Sequence, residues 1–144
     1  MSIRESIAVN IVTALSGATS PLTIKKVTRE PFDFQKLSNA QFPAVLIETS
    51  SEDREDITQG GSAITRQGEI AYTITGYVKG KVLDTARNNL IETIEEALDV
   101  DRTRGGYAKD TQVIRVETDE GSIDPIGGVI VTVAVMYTYT RGSV

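Results

Sequence analysis

The clearest constraint on how this chain folds is its last strand. Residues 128–141 read Gly-Val-Ile-Val-Thr-Val-Ala-Val-Met-Tyr-Thr-Tyr-Thr-Arg. Strand side chains point alternately to the two sides of the pleat, so Val129, Val131, Val133, Val135, Tyr137 and Tyr139 share one face. Ile130, Thr132, Ala134, Met136, Thr138 and Thr140 share the other. A strand of about 13 residues runs about 43 Å at about 3.3 Å per residue, well past the usual five or six residues. Such a strand belongs to a long hairpin or reaches beyond its own domain towards a neighbour. Either way it points to an assembly component rather than an enzyme.

At 144 residues, with 40% hydrophobic and 24% charged side chains, the chain has the size and composition of one soluble domain with one core. No apolar run approaches the roughly 18 residues of a membrane span, so no membrane partner is expected. Residues 1–18 carry only Arg4 and Glu5 as charges and have polar residues among the apolar ones, which is unlike a secretory signal. The expected site of synthesis and folding is therefore the cytoplasm. The chain has no cysteine and no histidine, which removes disulfides, thiolate chemistry, the commonest general base and the commonest metal ligand. Carboxylate pairs, a Ser/Lys arrangement or carboxylate-held magnesium remain open. A net charge of −5 argues against a DNA-coating surface, which gains affinity by neutralising phosphates with Lys and Arg.

Ser2 followed by Glu5 has the spacing of a capping box. Behind it Ile3, Ile7, Ile11 and Leu15, with Ala8 and Val12, recur at helical spacing, predicting a helix over 3–15 that Gly17 caps and Pro21 stops. Residues 22–29 predict a strand, and Pro31 opens an irregular link holding Phe32, Phe34 and Leu37. Residues 42–48 predict a second strand entered through Pro43, since proline is tolerated at a strand's first residue. The polar, acidic, glycine-containing stretch 49–67 predicts a long flexible loop with at most a short strand at 56–58. Residues 69–79 alternate again, with Gly76 marking a bulge or a close backbone approach. A second helix is predicted over 83–98, with Leu83, Ala86, Leu90, Ile91, Ile94, Ala97 and Leu98 on one face. A turn at 101–107, a strand over 113–118, a turn region at 119–124 and Pro125 precede the terminal strand. The order helix, strand, strand, loop, strand, helix, strand, strand contains no βαβ repeat. It predicts a single α+β domain over 1–144, a mainly antiparallel sheet with two helices packed on one face.

Three carboxylate clusters stand out: Glu52, Asp53, Glu55 and Asp56 in the predicted loop; Glu92, Glu95, Glu96 and Asp99 on the second helix; and Glu117, Asp119, Glu120 and Asp124. Any could bind magnesium or exchange protons, but solvated surface is the commoner role. The acids of the second helix sit at its C-terminal end, where they oppose the macrodipole, so a cation or a partner's basic residue is favourable there. Gly60-Gly61-Ser62 and Gly105-Gly106-Tyr107 lack both the P-loop and the Gly-x-Gly-x-x-Gly spacing and read as turns. Arg102, Arg104 and Lys109 beside the second pair could meet phosphate or an acidic partner. Tyr137 and Tyr139, with the Arg141-Gly142-Ser143-Val144 tail, form a strand end suited to β-augmentation by a neighbouring subunit.

Phe42-Pro43-Ala44-Val45-Leu46-Ile47, the strand ending Ile74-Thr75-Gly76-Tyr77-Val78, the helix carrying Ile91, Ile94, Ala97 and Leu98, the turn Asp101-Arg102-Thr103-Arg104-Gly105-Gly106, the entry Pro125-Ile126-Gly127 and the closing Val-rich strand with Tyr137 follow one another in order. In that order and spacing the C-terminal two-thirds resembles the tail terminator (tail completion) proteins of long-tailed bacteriophages, including the minor tail protein U-like family. The resemblance implies a small α+β fold and a structural, non-enzymatic virion protein without cofactor or metal. It implies a homo-oligomeric ring, a hexamer, that caps the tail tube, ends its polymerisation and presents the surface joined by the neck. The implied place is the head-proximal end of the tail in the virion, after assembly in the host cytoplasm. The implied partners are the ring's own copies, the tail tube protein, a neck or head-completion protein and, in a contractile tail, the sheath protein, while DNA passes through the lumen without being specifically bound.

The interface residues expected on this reading are Glu52, Asp53, Glu55, Asp56, Arg102, Arg104, Tyr137, Tyr139 and Arg141. Six copies at −5 each would carry −30, and acids facing the lumen would keep DNA from adhering. Two alternatives remain at this point. One is another neck, head-completion or tube-like ring protein of the same machine. The other is a small magnesium-dependent or nucleotide-binding enzyme, which needs acids converging on a concave site.

Overall fold

The computed structural model describes residues 2–57, 64–119 and 126–141. Helix α1 spans Ile3–Ser16, and the short strand β1 Lys26–Thr28 is followed by two 3-10 turns, Phe34–Lys36 and Asn39–Gln41. Strands β2 (Ala44–Asp56) and β3 (Thr65–Lys79), helix α2 (Leu83–Asp99) and strands β4 (Asp110–Thr118) and β5 (Ile126–Thr140) complete the chain. Among the described residues the strands form one sheet in the order β1-β2-β3-β5-β4. Only β1 and β2 pair in parallel; the other pairings are antiparallel. The result is the single α+β domain expected, with a mostly antiparallel sheet and two helices.

The long alternating strand pairs along its whole length with β3, from Thr65 opposite Thr140 to Lys79 opposite Ile126. It therefore does not reach past its own domain alone. It is half of a long non-local pair at the centre of the sheet. Its predicted faces hold: Val129, Val131, Val133, Val135, Tyr137 and Tyr139 are all buried, in one apolar cluster with Ile70, Tyr72, Ile74 and Val78 of β3. Helix α1 contributes Ile7, Ala8, Ile11 and Leu15 to this core, and α2 contributes Leu90, Ile94 and Leu98. Gly76 keeps regular register, between Val45 and Val129. Its role is the close approach, because a Cβ there would stand 2.6 Å from Leu90 Cδ2; α2 sits directly over it.

Several expectations are corrected. Only half of the capping box forms: Glu5 N–H donates to Ser2 Oγ at 3.1 Å. The Glu5 carboxylate instead accepts a two-pronged contact from Arg29, at 2.6 and 3.0 Å, because an arginine fork outcompetes a backbone amide for a carboxylate. The predicted strand over 22–29 shrinks to Lys26–Thr28. Ile24 is used as a core plug, 5% exposed, and its N–H reaches back to Ala18 O. Strand β4 starts at Asp110, before the predicted 113. The largest correction concerns the loop predicted over 49–67: residues 49–56 continue β2 and residues 65–67 begin β3, paired up to Asp56 opposite Arg66. The Gly60-Gly61-Ser62 turn, the end of the 56–58 strand expectation, most of the 119–124 turn, Pro125 and the tail beyond Arg141 lie outside the described residues.

Candidate functional site

Beyond the start of α1 the strands β2, β3 and β5 run on together as a three-stranded arm. A bulge between Thr49 and Ser51 shifts the phase of β2. Before it, Val45 and Ile47 face the helices; after it, Glu52, Arg54 and Asp56 do, opposite Ile70, Gly68 and Arg66. The four acids predicted to act together are thereby split. Glu52 and Asp56 look to the helix side, while Asp53 and Glu55 look to the helix-free side, with Glu69 of β3 opposite Asp53.

The helix-side face of the arm is built from charge where the rest of the sheet is built from hydrocarbon. Glu52 has a side chain only 7% exposed, buried between Arg4 of α1, whose Nε lies 2.7 Å from Oε1, and Arg54, whose Nε contacts Oε2. Tyr137 donates its hydroxyl to the same Oε2 at 2.8 Å. Further out, Arg66 Nε lies 2.8 Å from Asp56 Oδ1, and the Arg54 guanidinium stands 5.1 Å over the Tyr139 ring. That ring stacks on Tyr137 at 5.5 Å. The Tyr137 ring lies over Gly68, which has no Cβ to obstruct it. Burial and the bond to the Glu52 carboxylate push the Tyr137 phenol well above its usual range, and the Glu52 carboxylate stabilises Arg54 as a cation. The Tyr139 hydroxyl is buried without a hydrogen-bond partner among the described residues.

Seven of the nine candidate residues therefore meet on the arm. Glu52, Asp56, Tyr137 and Tyr139 lie on its helix side and Asp53 and Glu55 on the reverse. Arg141 is at its end, its N–H donating to Ile64 O at 2.8 Å. Tyr137 and Tyr139 are buried, at 0% and 5% exposure, so within the subunit they serve packing rather than an open strand edge. Arg102 and Arg104 lie elsewhere, in the turn after α2. Arg102 makes a fork to Asp110, at 2.7 and 3.0 Å, which holds the Asp110 carboxyl below its ordinary range. Arg104 is 0% exposed and donates to the carbonyls of Leu98 and Asp101. It is the cation that the acidic end of α2 calls for, supplied by the chain itself. Burial lowers its pKa. Arg4, Arg54, Arg66 and Gly68 were not singled out from the sequence; the signal was the period-two order Glu52, Arg54, Asp56.

The helix-free face of the sheet carries Glu48, Asp53, Glu55 and Glu69, none in an ion pair among the described residues. Near β1 this face is covered by the linker, with Phe34 stacked on Tyr77 at 4.6 Å. The third carboxylate cluster is also divided: Glu117 pairs with Arg115 and Asp119 with Arg87. Among the described residues no group of acidic side chains converges to hold a metal ion, and no helix is long and apolar enough to cross a membrane. Gly105 and Gly106 both have positive φ, 73° and 91°, as turn glycines do, and the Gly105 N–H donates to the Asp101 carboxylate at 2.8 Å.

No protein-family model matches the sequence, and no curated protein matches it. Among solved structures that match is a chain in the virion of a native gene transfer agent (GTA) particle. It is 6% identical, with 96% of this chain and 92% of that chain covered and a TM-score of 0.39. A likeness at this level bears on neither mechanism nor partner.

Proposed function

We propose that the protein is a structural, non-enzymatic component of a phage-type virion. On this reading it forms a ring, of six copies, that caps the tail tube, ends its polymerisation and offers the joining surface to the neck. The observation that carries the reading is the arm. From the level of Glu52 to Asp56 it extends about four residues, or about 13 Å at about 3.3 Å per residue, past the point where Arg4 of α1 meets it. An isolated domain gains little by stiffening such an extension with half-exposed ion pairs around one buried carboxylate, whose desolvation costs free energy; an assembly subunit gains a preformed contact. The sequence resemblance over the C-terminal two-thirds supplies the kind of assembly.

The helix-free face gives the ring its inner surface. With the arm side of this face, carrying Asp53, Glu55 and Glu69, directed at a lumen, a DNA phosphate backbone meets like charge and slides without binding. Growth stops because the ring's far face no longer matches a tube subunit, so no further layer is templated. The test is the solution mass by light scattering, alone and after mixing with the tail tube protein. A discrete ring of about six copies, formed alone or on tube ends, is the expected result. Open-ended tubes would assign the chain to the tube-like class instead, and a monomer indifferent to the tube protein would overturn the ring.

A further inference from the structure

We infer that the end of the sheet opposite the arm is a contact surface for the C-terminal end of α2 of a second copy; this rests on the ring reading above and names the surfaces that meet. Most arginines are engaged: Arg4, Arg29, Arg54, Arg66, Arg87, Arg102 and Arg115 each pair with a carboxylate and Arg104 with backbone carbonyls, which leaves Arg141 at the tip of the arm outside any ion pair among the described residues. None of the lysines makes an ion pair among the described residues. Five of the six lysines gather at one end. Lys25 and Lys26 stand beside the start of β2, Lys79 and Lys81 at the end of β3, and Lys36 two residues from the Phe34 that stacks on Tyr77.

All three phenylalanines are there too, and they position the charges. Lys26 Nζ lies 5.6 Å from the Phe32 ring centre and Lys79 Nζ 5.8 Å from that of Phe42, while Lys79 also donates to Asn39 Oδ1 at 2.6 Å. Ammonium groups held over ring faces lose less freedom on binding than free ones. Beside Lys79 is a groove of about 390 Å³ walled by Leu22, Phe42, Pro43, Val78 and Ala86. The nearby carboxylates are partly engaged, Asp84 and Asp119 by Arg87 and Asp33 by the Gln35 N–H.

What fits an apolar groove with Lys79 in its wall and further lysines at the same end of the sheet is an acidic surface with an apolar tip, and the chain carries one. Glu92, Glu95, Glu96 and Asp99 fall at helix positions i, i+3, i+4 and i+7, so like charges stand side by side and repel. They also oppose the helix dipole, which the buried Arg104 offsets only from within. None of the four is in an ion pair among the described residues. Val100, at the tip of this stripe, is 87% exposed. A polynucleotide would match the lysines but not the groove. Because stripe and groove are different surfaces of one chain, their contact runs head to tail, the geometry that closes into a ring.

Two charge-reversed full-length chains test this: Lys25→Glu with Lys79→Glu and Lys81→Glu, and Glu92→Lys with Glu96→Lys and Asp99→Lys. Folding is checked by circular dichroism and mass by sedimentation, with and without tube protein. Each variant alone should self-associate at least about tenfold more weakly. An equimolar mixture should recover rings, since reversed groove then meets reversed stripe at every second contact. Should a reversal impair folding, the corresponding neutral variant (Lys→Gln, Glu→Gln, Asp99→Asn) should still self-associate more weakly alone, and unchanged association of a folded neutral variant would count against the contact. Wild-type rings unaffected by either reversal would overturn this contact and leave the ring standing. A wild type that stays monomeric with and without tube protein would sink both. Binding of a labelled DNA duplex that the lysine variant alone loses, with ring mass unchanged, would make this end a nucleic-acid surface and overturn the inference.

Discussion

At Gly68 a Cβ would stand 2.6 Å from Tyr137 Cε1 and 2.8 Å from Glu52 Oε2. The ring cannot lift away without giving up its hydrogen bond to Glu52, so the clash falls on a group that is held. Gly68→Ala is expected to cost about 1–3 kcal/mol, the usual range for overpacking. Gly80→Ala, where nothing lies within 4 Å among the described residues, should be neutral or stabilising by up to about 1 kcal/mol through the unfolded chain; urea midpoints of the two variants decide it. Arg104 poses a contest between two effects. Its guanidinium satisfies the last carbonyls of α2, but Nε and Nη1 find no partner among the described residues and its backbone holds a φ of 52°. If the carbonyl bonds dominate, Arg104→Met lowers stability by about 1–3 kcal/mol. Unchanged or increased stability would mean that the desolvated charge costs as much as its bonds return.

The arm can be probed as a unit because one carboxylate joins its parts. Glu52→Ala leaves Arg4, Arg54 and the Tyr137 hydroxyl without their shared acceptor, so amide exchange should accelerate by at least about tenfold across 52–56, 66–70 and 137–139. Exchange within α2 should not change. Uniform acceleration everywhere would show that Glu52 supports the whole fold rather than the arm. This element also marks where sequence reading failed. Helices α1 and α2 and strands β3 and β5 were legible because their buried sides are apolar at period 3.6 or 2. Residues 49–56 were not, since both faces of that strand are polar and the bulge after Thr49 breaks the alternation. Of the candidate site, the residues were mostly named but their grouping was not. Nothing in a single sequence shows that Glu52 and Asp53 part to opposite faces, or that Tyr137 lies over Gly68. Arg104 looked like a surface charge of a turn, although the acidic end of α2 had already called for a cation.

For the molecule as a whole, ionisable groups bound the pH range of stability from both sides. Asp101 is held below its ordinary 3.8 by the Thr103 hydroxyl and the Gly105 and Thr103 amides, and Asp110 by Arg102. A lowered folded pKa contributes stability above the unfolded value that is lost as pH falls through the folded one. The acid decline therefore sets in near 3.8 and continues below it, and Asp110→Asn should shallow it slightly, since the group is exposed. On the alkaline side burial raises the Tyr72 phenol to about 12 from 10.0, and the Tyr137 phenol is raised too. A raised folded pKa contributes stability that is complete below the unfolded value and lost as pH climbs through the folded one. Between pH 10 and 12 Tyr72 alone should therefore remove about 2–3 kcal/mol, at about 1.4 kcal/mol per unit, and Tyr137 should add to the loss. Tyr137→Phe separates the two: it gives up the bond to Glu52, costing about 1 kcal/mol at neutral pH, yet removes one group whose ionisation drives unfolding. Its denaturant midpoint should therefore fall less steeply above pH 10 than that of the parent chain. An alkaline limb of unchanged slope would mean that the Tyr137 hydroxyl, and with it the junction of arm and domain, is open to water.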